Sequence, residues 1–333
     1  MAQKKLIGIT IGDPAGIGPE IILKSLSYFT EKYTPLLIGK LSIFQQYNCL
    51  LKTGISFYSS DHLLANLTEA GIPVLEVLPD ESMHIIPGTP SIDSARVAMH
   101  ALHTGADLAL GKKIDALVTA PIYKKGMQDA GFAFQTHTDF LAHHTKSPDC
   151  AMMLVGKGLK VVLVTVHIPF RDICAHITSE TVYKTIRTTS RSLEQMGIPQ
   201  PRIAVCGLNP HAGEEGMLGT EEKTILQPAI DKARRQNMHI TGIFPPDTIF
   251  WQTLQGKADV VIALYHDQGL IAIKTIAFDT GVNVTIGLPF LRTSPDHGTA
   301  FTIAGKNTAN ISSMVHAIDF AITHAHHCVI PNE

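Results

Sequence analysis

Short apolar runs rich in β-branched residues recur along the chain, and longer amphipathic stretches separate them. Seven runs are candidate strands: residues 6–11, 36–38, 116–119, 161–166, 203–206, 260–264 and 282–286. Helical patterns lie between them at residues 19–27, 92–110, 180–196 and 221–235. Strands that are apolar on both faces and alternate with helices are typical of α/β proteins. The pattern therefore predicts a mainly parallel sheet buried between layers of helices.

The length of 333 residues favours two compact domains over one. No internal repeat or linker rich in Gly, Ser or Pro marks a boundary. The most polar irregular stretch runs from 128 to 138, and a second crossover is predicted near Asp279. These features predict a terminal α/β domain of residues 1–127 plus 280–333, with an inserted α/β domain of residues 128–279.

Composition and charge exclude several classes of protein. A formal net charge of -2 without a basic run argues against binding to nucleic acid or to an anionic membrane. Apolar runs such as 159–166 are shorter than the ~18 residues of a membrane-spanning helix, and Gly12 interrupts the run at 6–11 too early for a signal peptide. The five cysteines are widely scattered, as in a protein with reduced thiols. We therefore expect a cytoplasmic protein.

Three histidines follow candidate strands. His167 comes directly after the run at 161–166, while His211 and His266 lie in polar turns just beyond the runs at 203–206 and 260–264. Because the carboxyl ends of parallel strands meet at one edge of a sheet, these imidazoles could bind one divalent metal with an open position for a substrate. The alternative interpretation of each histidine is a hydrogen-bonded loop residue.

Two other segments are suited to binding an anion. His137, Thr138 and Asp139 form a predicted polar turn. Asn283 lies in the last candidate strand, and Arg292 and a loop at 293–299 follow that strand. Lys274 is nearby in sequence. Arginine, lysine, hydroxyl and amide groups are typical ligands of phosphate or carboxylate. The alternative is that Arg292 and Lys274 are solvated surface charges.

A glycine-rich turn, residues 12–20, follows the first candidate strand and leads into a helix. Such a turn either binds an anion or is a structural tight turn. Its glycine spacing differs from that of the Rossmann and Walker motifs, and neither motif occurs elsewhere in the sequence. A nicotinamide cofactor would therefore have to bind in another way.

Several of these segments, taken in order, resemble the 4-hydroxythreonine-4-phosphate dehydrogenases. The most specific are the run from Cys206 to Glu214, Cys-Gly-Leu-Asn-Pro-His-Ala-Gly-Glu, and the run from Tyr265 to Leu270, Tyr-His-Asp-Gln-Gly-Leu. The similarity also includes residues 12–20, 120–124, 137–138, 219–222, 246–248 and 281–298. It extends from about residue 6 to about residue 320.

The resemblance implies a fold and a set of site residues. It implies two α/β/α domains like those of isocitrate and isopropylmalate dehydrogenases, with an active-site cleft between them near the interface of a homodimer. It also implies that His167, His211 and His266 bind one divalent metal ion per active site, Zn, Mg or Co. His137, Thr138, Lys274, Asn283 and Arg292 would hold a phosphorylated substrate.

The reaction implied is oxidation of 4-phosphohydroxy-L-threonine at C3 with NAD or NADP. Decarboxylation to 3-amino-2-oxopropyl phosphate follows, on the route to pyridoxal 5'-phosphate. Metal coordination would lower the pKa of the substrate hydroxyl and favour hydride transfer. Asp247, Asp267 and Lys274 are all candidate proton acceptors by residue type, and the sequence does not rank them.

One position departs from the family pattern, and other activities stay open. The family usually has Gly-His-Thr-Glu where this chain has Thr136, His137, Thr138 and Asp139, so we expect a more restricted backbone before His137. The main alternative is a paralogue that oxidises 4-phospho-D-threonate or a related phosphorylated hydroxy acid. A dihydrodiol dehydrogenase would have little use for Lys274 and Arg292. A metabolite-binding protein without catalysis would have no use for the three histidines.

Overall fold

A computed structural model describes residues 4–28, 33–60, 70–79, 82–134 and 136–325 of the chain. The described residues form two compact units. The first unit comprises residues 4–147 and 288–325, and the second unit comprises residues 148–287. The one cysteine outside the described residues is Cys328.

The strands are β1 (Lys5–Thr10), β2 (Tyr33–Gly39), β3 (Phe57–Ser60), β4 (Ile72–Glu76), β5 (Ala116–Thr119), β6 (Ala151–Gly156), β7 (Leu159–Leu163), β8 (Ile203–Cys206), β9 (Ile240–Phe244), β10 (Val260–Ala263), β11 (Val282–Ile286) and β12 (Arg292–Pro295). The α-helices are α1 (Gly18–Leu26), α2 (Leu41–Leu51), α3 (Ile92–Leu110), α4 (Lys124–Asp129), α5 (His137–His144), α6 (Ile173–His176), α7 (Ser179–Gln195), α8 (Gln227–Arg235), α9 (Pro246–Leu254), α10 (His266–Ala277) and α11 (Ser312–His324). In the described part of the chain, no helix is both long enough and apolar enough to cross a membrane.

The first unit contains a parallel sheet with the strand order β3-β4-β2-β1-β5-β12. Helix α3 packs on β1, β2 and β5, and α11 packs on β12 and β5. The hydroxyl of Thr293 in β12 donates to the carbonyl oxygen of Ala317 in α11 over 2.9 Å. Every residue of β5 and β12 is buried. These two buried strands therefore fix Thr119 at the end of β5 and Arg292 at the start of β12.

The second unit contains a mixed sheet with the strand order β11-β6-β7-β10-β8-β9. Strand β6 is antiparallel to both of its neighbours, and the other strand pairs are parallel. One face of the sheet packs against Ile249 of α9 and Ile273 of α10 in a shared core. A Cβ atom on Gly269 would lie 2.6 Å from Leu163, so only glycine lets α10 approach β7 this closely.

The structure confirms the α/β class and corrects some of the predicted elements. Strand β7 ends at Leu163 rather than at 166, and the predicted helix 221–235 begins with a π-helical turn, Glu222–Leu226. The boundaries between the two units lie at 147/148 and 287/288, later than the predicted 127/128 and 279/280. The first boundary lies later because α4 and α5 both pack on α3 of the first unit.

Candidate active site

Arg292 is a buried cation at the start of β12. Strand β12 runs parallel to β5 with Arg292 opposite Leu117, and the arginine is only 2% exposed. Its guanidinium donates to the Thr119 hydroxyl from Nε over 3.2 Å and from Nη2 over 2.6 Å. Burial lowers the pKa of Arg292 to about 9. Arg292 is therefore not the solvated surface charge of the alternative interpretation.

His137 is the first residue of α5 and does not lie in a polar turn as predicted. The residue before it, Thr136, caps the helix, because its hydroxyl accepts a hydrogen bond of 3.0 Å from the backbone N–H of Asp139. Thr136 has extended backbone angles, φ -132° and ψ 158°, which any residue adopts. The expected restriction before His137 is therefore absent, and threonine adds a cap that glycine does not provide.

The Nε2 atom of His137 is buried and has no hydrogen-bond partner among the described residues. The pKa of His137 lies well below its ordinary value, because burial disfavours the imidazolium and the nearby charge of Arg292 disfavours it further. The first unit thus places a neutral imidazole close to a buried guanidinium, with Thr138 next in the first turn of α5. This combination is suited to an anionic ligand.

His167 and His266 lie close together in the second unit. Beyond the ends of β7 and β10, the Val164 N–H donates to Ala263 O over 2.9 Å, and the Thr165 hydroxyl donates to Leu264 O over 2.8 Å. These hydrogen bonds keep the two segments side by side. The rings of His167 and His266 consequently have centroids 5.6 Å apart, with an interplanar angle of 43°.

Asp267 is hydrogen-bonded to its neighbour His266. The Nδ1 atom of His266 lies 2.6 Å from Asp267 Oδ1. A carboxylate in this position favours the tautomer with the proton on Nδ1, which leaves Nε2 as a lone-pair donor for a metal. The contact indicates that Asp267 positions the imidazole. From the sequence, Asp267 is predicted only as a candidate proton acceptor.

His211 lies in a left-handed turn after β8. Six consecutive residues, His211–Gly216, have positive φ, and a Cβ atom on Gly213 would lie 2.6 Å from a carboxylate oxygen of Glu222. The Oε1 atom of Glu222 accepts hydrogen bonds of 2.8 Å from the N–H groups of both Leu208 and Asn209. Glu222, which is buried, therefore supports the turn that carries His211.

The ligand atoms of His167, His211 and His266 do not all lie within 4.8 Å of one another in this chain. Among the described residues, only one group of three His, Cys, Asp or Glu side chains meets that spacing, namely His103, Asp107 and His144. The structure therefore brings two of the three predicted metal ligands together and leaves His211 on a separate, exposed turn.

The remaining predicted residues are distributed along the second unit. Asp247 is exposed in the first turn of α9, and Lys274 is half-buried near the end of α10. Asn283 lies in β11, and its buried Oδ1 has no hydrogen-bond partner in the described ranges. An unsatisfied buried carbonyl oxygen is suited to accept a hydrogen bond from a substrate.

The glycine-rich turn at 12–20 is structural. The N–H groups of Asp13, Gly16 and Ile17 donate to carbonyl oxygens of Pro121, Asp13 and Thr299, and Ala15 N–H donates to the Asp13 carboxylate. Because these N–H groups already have acceptors in the protein, they are not available to an anion. Burial raises the pKa of the Asp13 carboxyl in the same turn.

Three positioning residues were not predicted from the sequence: Thr119, Glu222, and Gln268, whose side-chain amide is hydrogen-bonded to the backbone of Gly207 and Leu264. Glu222 and Gln268 belong to segments that carry the family resemblance, so the motifs at 219–222 and 265–270 contained a signal. Thr119 ends a buried strand and gave no such signal. The role of Thr119 depends on its contact with Arg292, and that contact depends on how β12 lies beside β5.

The fold and these side chains define an α/β enzyme. The chain belongs to the family of the pyridoxal phosphate biosynthetic protein PdxA, whose sequence model matches residues 31–321. This result confirms the resemblance seen in the sequence. A 4-hydroxythreonine-4-phosphate dehydrogenase of Desulforapulum autotrophicum is 41% identical, over 97% of this chain and 96% of that protein.

Two further relatives bear on the specificity. A putative D-threonate 4-phosphate dehydrogenase of Oceanobacillus iheyensis is 39% identical, over 97% of this chain and 98% of that protein. The crystal structure of 4-hydroxythreonine-4-phosphate dehydrogenase from Klebsiella pneumoniae superimposes with a TM-score of 0.89. It is 37% identical, and the match covers 97% of this chain and 100% of that chain.

Proposed function

We propose that the protein oxidises 4-phosphohydroxy-L-threonine at C3 with NAD or NADP and then releases carbon dioxide to give 3-amino-2-oxopropyl phosphate. The observation that carries this proposal is the buried Arg292 guanidinium next to the buried, unpartnered Nε2 of His137. A buried cation and an imidazole that lacks a partner within the described residues are suited to a phosphate dianion. An uncharged dihydrodiol would not compensate that positive charge.

We assign substrate binding to residues of both units. In the first unit, His137, Thr138 and Arg292 would bind the phosphate, since His137 and Thr138 lie in the first turn of α5, where the helix dipole favours negative charge. In the second unit, Lys274 would add a positive charge and Asn283 Oδ1 would accept a hydrogen bond from the substrate.

We assign the divalent metal, Zn, Mg or Co, to His167, His211 and His266. Three imidazoles are a donor set that suits zinc or cobalt better than magnesium, and Asp267 holds His266 in the tautomer that metal binding needs. When bound, the cation supplies Lewis-acid chemistry that lowers the pKa of the substrate hydroxyl. Because Asp267 is hydrogen-bonded to His266, we assign proton removal to Asp247 or Lys274.

A homodimer fits the exposed apolar side chains of the second unit. Trp251 in α9, Ile271 in α10 and Phe278 just after it are all largely exposed. Trp251 and Ile271 line one groove, and exposed apolar side chains that lie together are typical of an interface between subunits. Because α10 also carries His266 and Lys274, such an interface would lie near the catalytic residues.

The second candidate is oxidation of 4-phospho-D-threonate. It is favoured by the relative from Oceanobacillus iheyensis, whose name gives that activity. Both substrates carry the phosphate that Arg292 and His137 would bind, so the first unit does not discriminate between them. We place either activity in the cytoplasm, consistent with the free thiols of Cys49, Cys150, Cys174 and Cys206.

A substrate panel tests these assignments. NADH or NADPH formation is followed by absorbance with 4-phosphohydroxy-L-threonine, 4-phospho-D-threonate and a cis-dihydrodiol, before and after removal of the metal with a chelator. We expect the highest kcat/KM with 4-phosphohydroxy-L-threonine, and no turnover after chelation. Faster turnover of 4-phospho-D-threonate would establish the second candidate. Full activity after chelation would refute the metal assignment.

A further inference from the structure

A cluster of two histidines and an aspartate lies in the first unit, on α3 and α5. His103 Nδ1 is 3.0 Å from Asp107 Oδ2, and His144 Nε2 is 2.7 Å from Asp107 Oδ1. Within the described ranges, this is the group of His, Cys, Asp and Glu residues whose three ligand atoms all lie within 4.8 Å of one another. None of the three residues belongs to the catalytic assignment above.

The backbone and an aromatic ring hold these side chains in place. His103 and Asp107 are four residues apart in α3, so they project from the same face of the helix. His144 is the last residue of α5, and its ring stacks on Phe140 at 5.2 Å with an interplanar angle of 16°. The same phenylalanine contacts the ring of His103 at 5.9 Å. The three ligands are thus largely preorganised before any ion binds.

We propose that His103, Asp107 and His144 bind a divalent transition-metal ion of the zinc type. Two imidazoles and a carboxylate are a donor set that zinc prefers, whereas magnesium prefers oxygen ligands alone. Side-chain exposures of 56%, 54% and 21% leave room for water as a fourth ligand. Tetrahedral zinc spaces its ligand atoms about 3.3 Å apart, and the two His–Asp contacts of 3.0 and 2.7 Å lie close to that spacing.

Metal binding at this cluster involves proton transfer but no redox change. Each imidazole must offer the lone pair of the nitrogen that now faces Asp107, because a metal binds only an unprotonated nitrogen. The proton shared with the carboxylate therefore moves to the other ring nitrogen or to solvent. The ion replaces two hydrogen bonds with three coordinate bonds, and it connects α3 directly to α5.

A bound ion would stabilise α5, the helix that begins at His137. The distance along the axis of α5 from His144 back to His137 is about 10 Å. An ion that binds only the folded chain raises the melting temperature in proportion to the logarithm of its concentration above Kd. The site is therefore structural, and we expect it to hold the substrate-binding end of α5 against α3.

The test counts zinc ions bound per chain. The full-length protein, freed of metal, is titrated with Zn²⁺ in competition with a chromophoric chelator, and the same titration is made on His103→Ala/His144→Ala. The matched control is His143→Ala, which removes an exposed histidine that neighbours the cluster in α5. All titrations are repeated on proteins that also carry His211→Ala, so that loss of the ion proposed at the catalytic site is measured separately.

We expect the double variant to bind one zinc ion fewer than the wild type in both backgrounds, and His143→Ala to bind as many as the wild type. Asp107→Asn, which keeps the size of the side chain, should weaken zinc binding at the cluster at least about tenfold. Circular dichroism checks that each variant is folded. Equal zinc counts in the wild type and the double variant would overturn the inference. If zinc is lost only when His211→Ala is present, zinc binds at the catalytic site alone, and the inference about the cluster is overturned.

Discussion

The side-chain amide of Gln268 donates a hydrogen bond of 2.9 Å to the carbonyl oxygen of Gly207. Its Oε1 atom accepts a second hydrogen bond of 2.7 Å from the N–H of Leu264. Gln268 thereby connects the carboxyl ends of β8 and β10, from which the segments carrying His211 and His266 begin. One buried amide therefore links two of the proposed metal ligands through the backbone.

Replacing Gln268 with methionine should destabilise the protein and weaken metal binding. The substitution leaves the Gly207 carbonyl and the Leu264 N–H without their present partners, at a cost of about 2 kcal/mol in the free energy of unfolding. Urea unfolding and metal titration measure the two effects. The exposed Gln255→Met is the control. Stability equal to that of the wild type would show that Gln268 does not hold these segments.

Thr119→Val should weaken substrate binding more than it slows turnover. The Thr119 hydroxyl accepts two hydrogen bonds from the Arg292 guanidinium, and valine keeps the shape of the side chain without an acceptor. Loss of a hydrogen bond to a charged group costs roughly 2 kcal/mol, which corresponds to a KM raised about 30-fold. Steady-state kinetics with Thr119→Ser as the conservative control checks this. A KM unchanged in Thr119→Val would contradict the positioning role.

Glu222→Gln should lower metal affinity without unfolding the protein. One carboxylate oxygen of Glu222 accepts two backbone hydrogen bonds in the segment before His211, and the other accepts one from the Asn209 side chain. Either orientation of an amide would therefore place its NH2 group against a donor. Residues that orient metal ligands typically contribute about 10- to 100-fold in affinity. The exposed Glu215→Gln is the matched control. Equal metal affinity in the two variants would remove Glu222 from the site.

His137 should make the folded protein less stable in acid. Above its ordinary pKa of 6.5, His137 is neutral in both the folded and the unfolded chain, so it contributes no pH dependence. Below that pH the unfolded chain takes up a proton that the folded protein does not, because the pKa of buried His137 is lowered. The free energy of unfolding then falls with pH, by up to about 1.4 kcal/mol per pH unit, until the lowered pKa is reached.

The measurement is urea unfolding of the wild type and His137→Gln between about pH 7 and pH 5. We expect a shallower loss of stability for His137→Gln, which has no group that titrates at this position. His143→Gln, an exposed change in the same helix, should behave as the wild type does. Identical pH dependence in the wild type and His137→Gln would show that the pKa of His137 is the same in the folded protein as in the unfolded chain.

Sequence predicted the strongly patterned elements well. The predicted bounds of α3, β5, β8 and β11 agree with the structure, because each is a continuous apolar or amphipathic segment with clear ends. The start of α3, for example, has a capping box between Ser91 and Ser94. The local sequence of these segments therefore determines most of their secondary structure.

The parts that sequence missed depend on neighbours distant in the chain. Strand β12, Arg-Thr-Ser-Pro, looks like a polar loop, and its arginine becomes buried only because β12 lies beside β5 and under α11. The start of α5 was missed because Thr136, read as a turn residue, is the cap of a helix. The cluster of His103, Asp107 and His144 likewise needs the packing of α5 on α3.

Phosphate binding by the buried Arg292 and the half-buried His137, whose Nε2 atom is buried, is the basis of the proposed function. It is tested most directly by the ratio of kcat/KM for 4-phosphohydroxy-L-threonine to that for 4-hydroxy-L-threonine, measured in the wild type and in Arg292→Ala. We predict a strong preference for the phosphorylated substrate in the wild type that falls by at least about 100-fold in Arg292→Ala. The same preference in both proteins would contradict the claim.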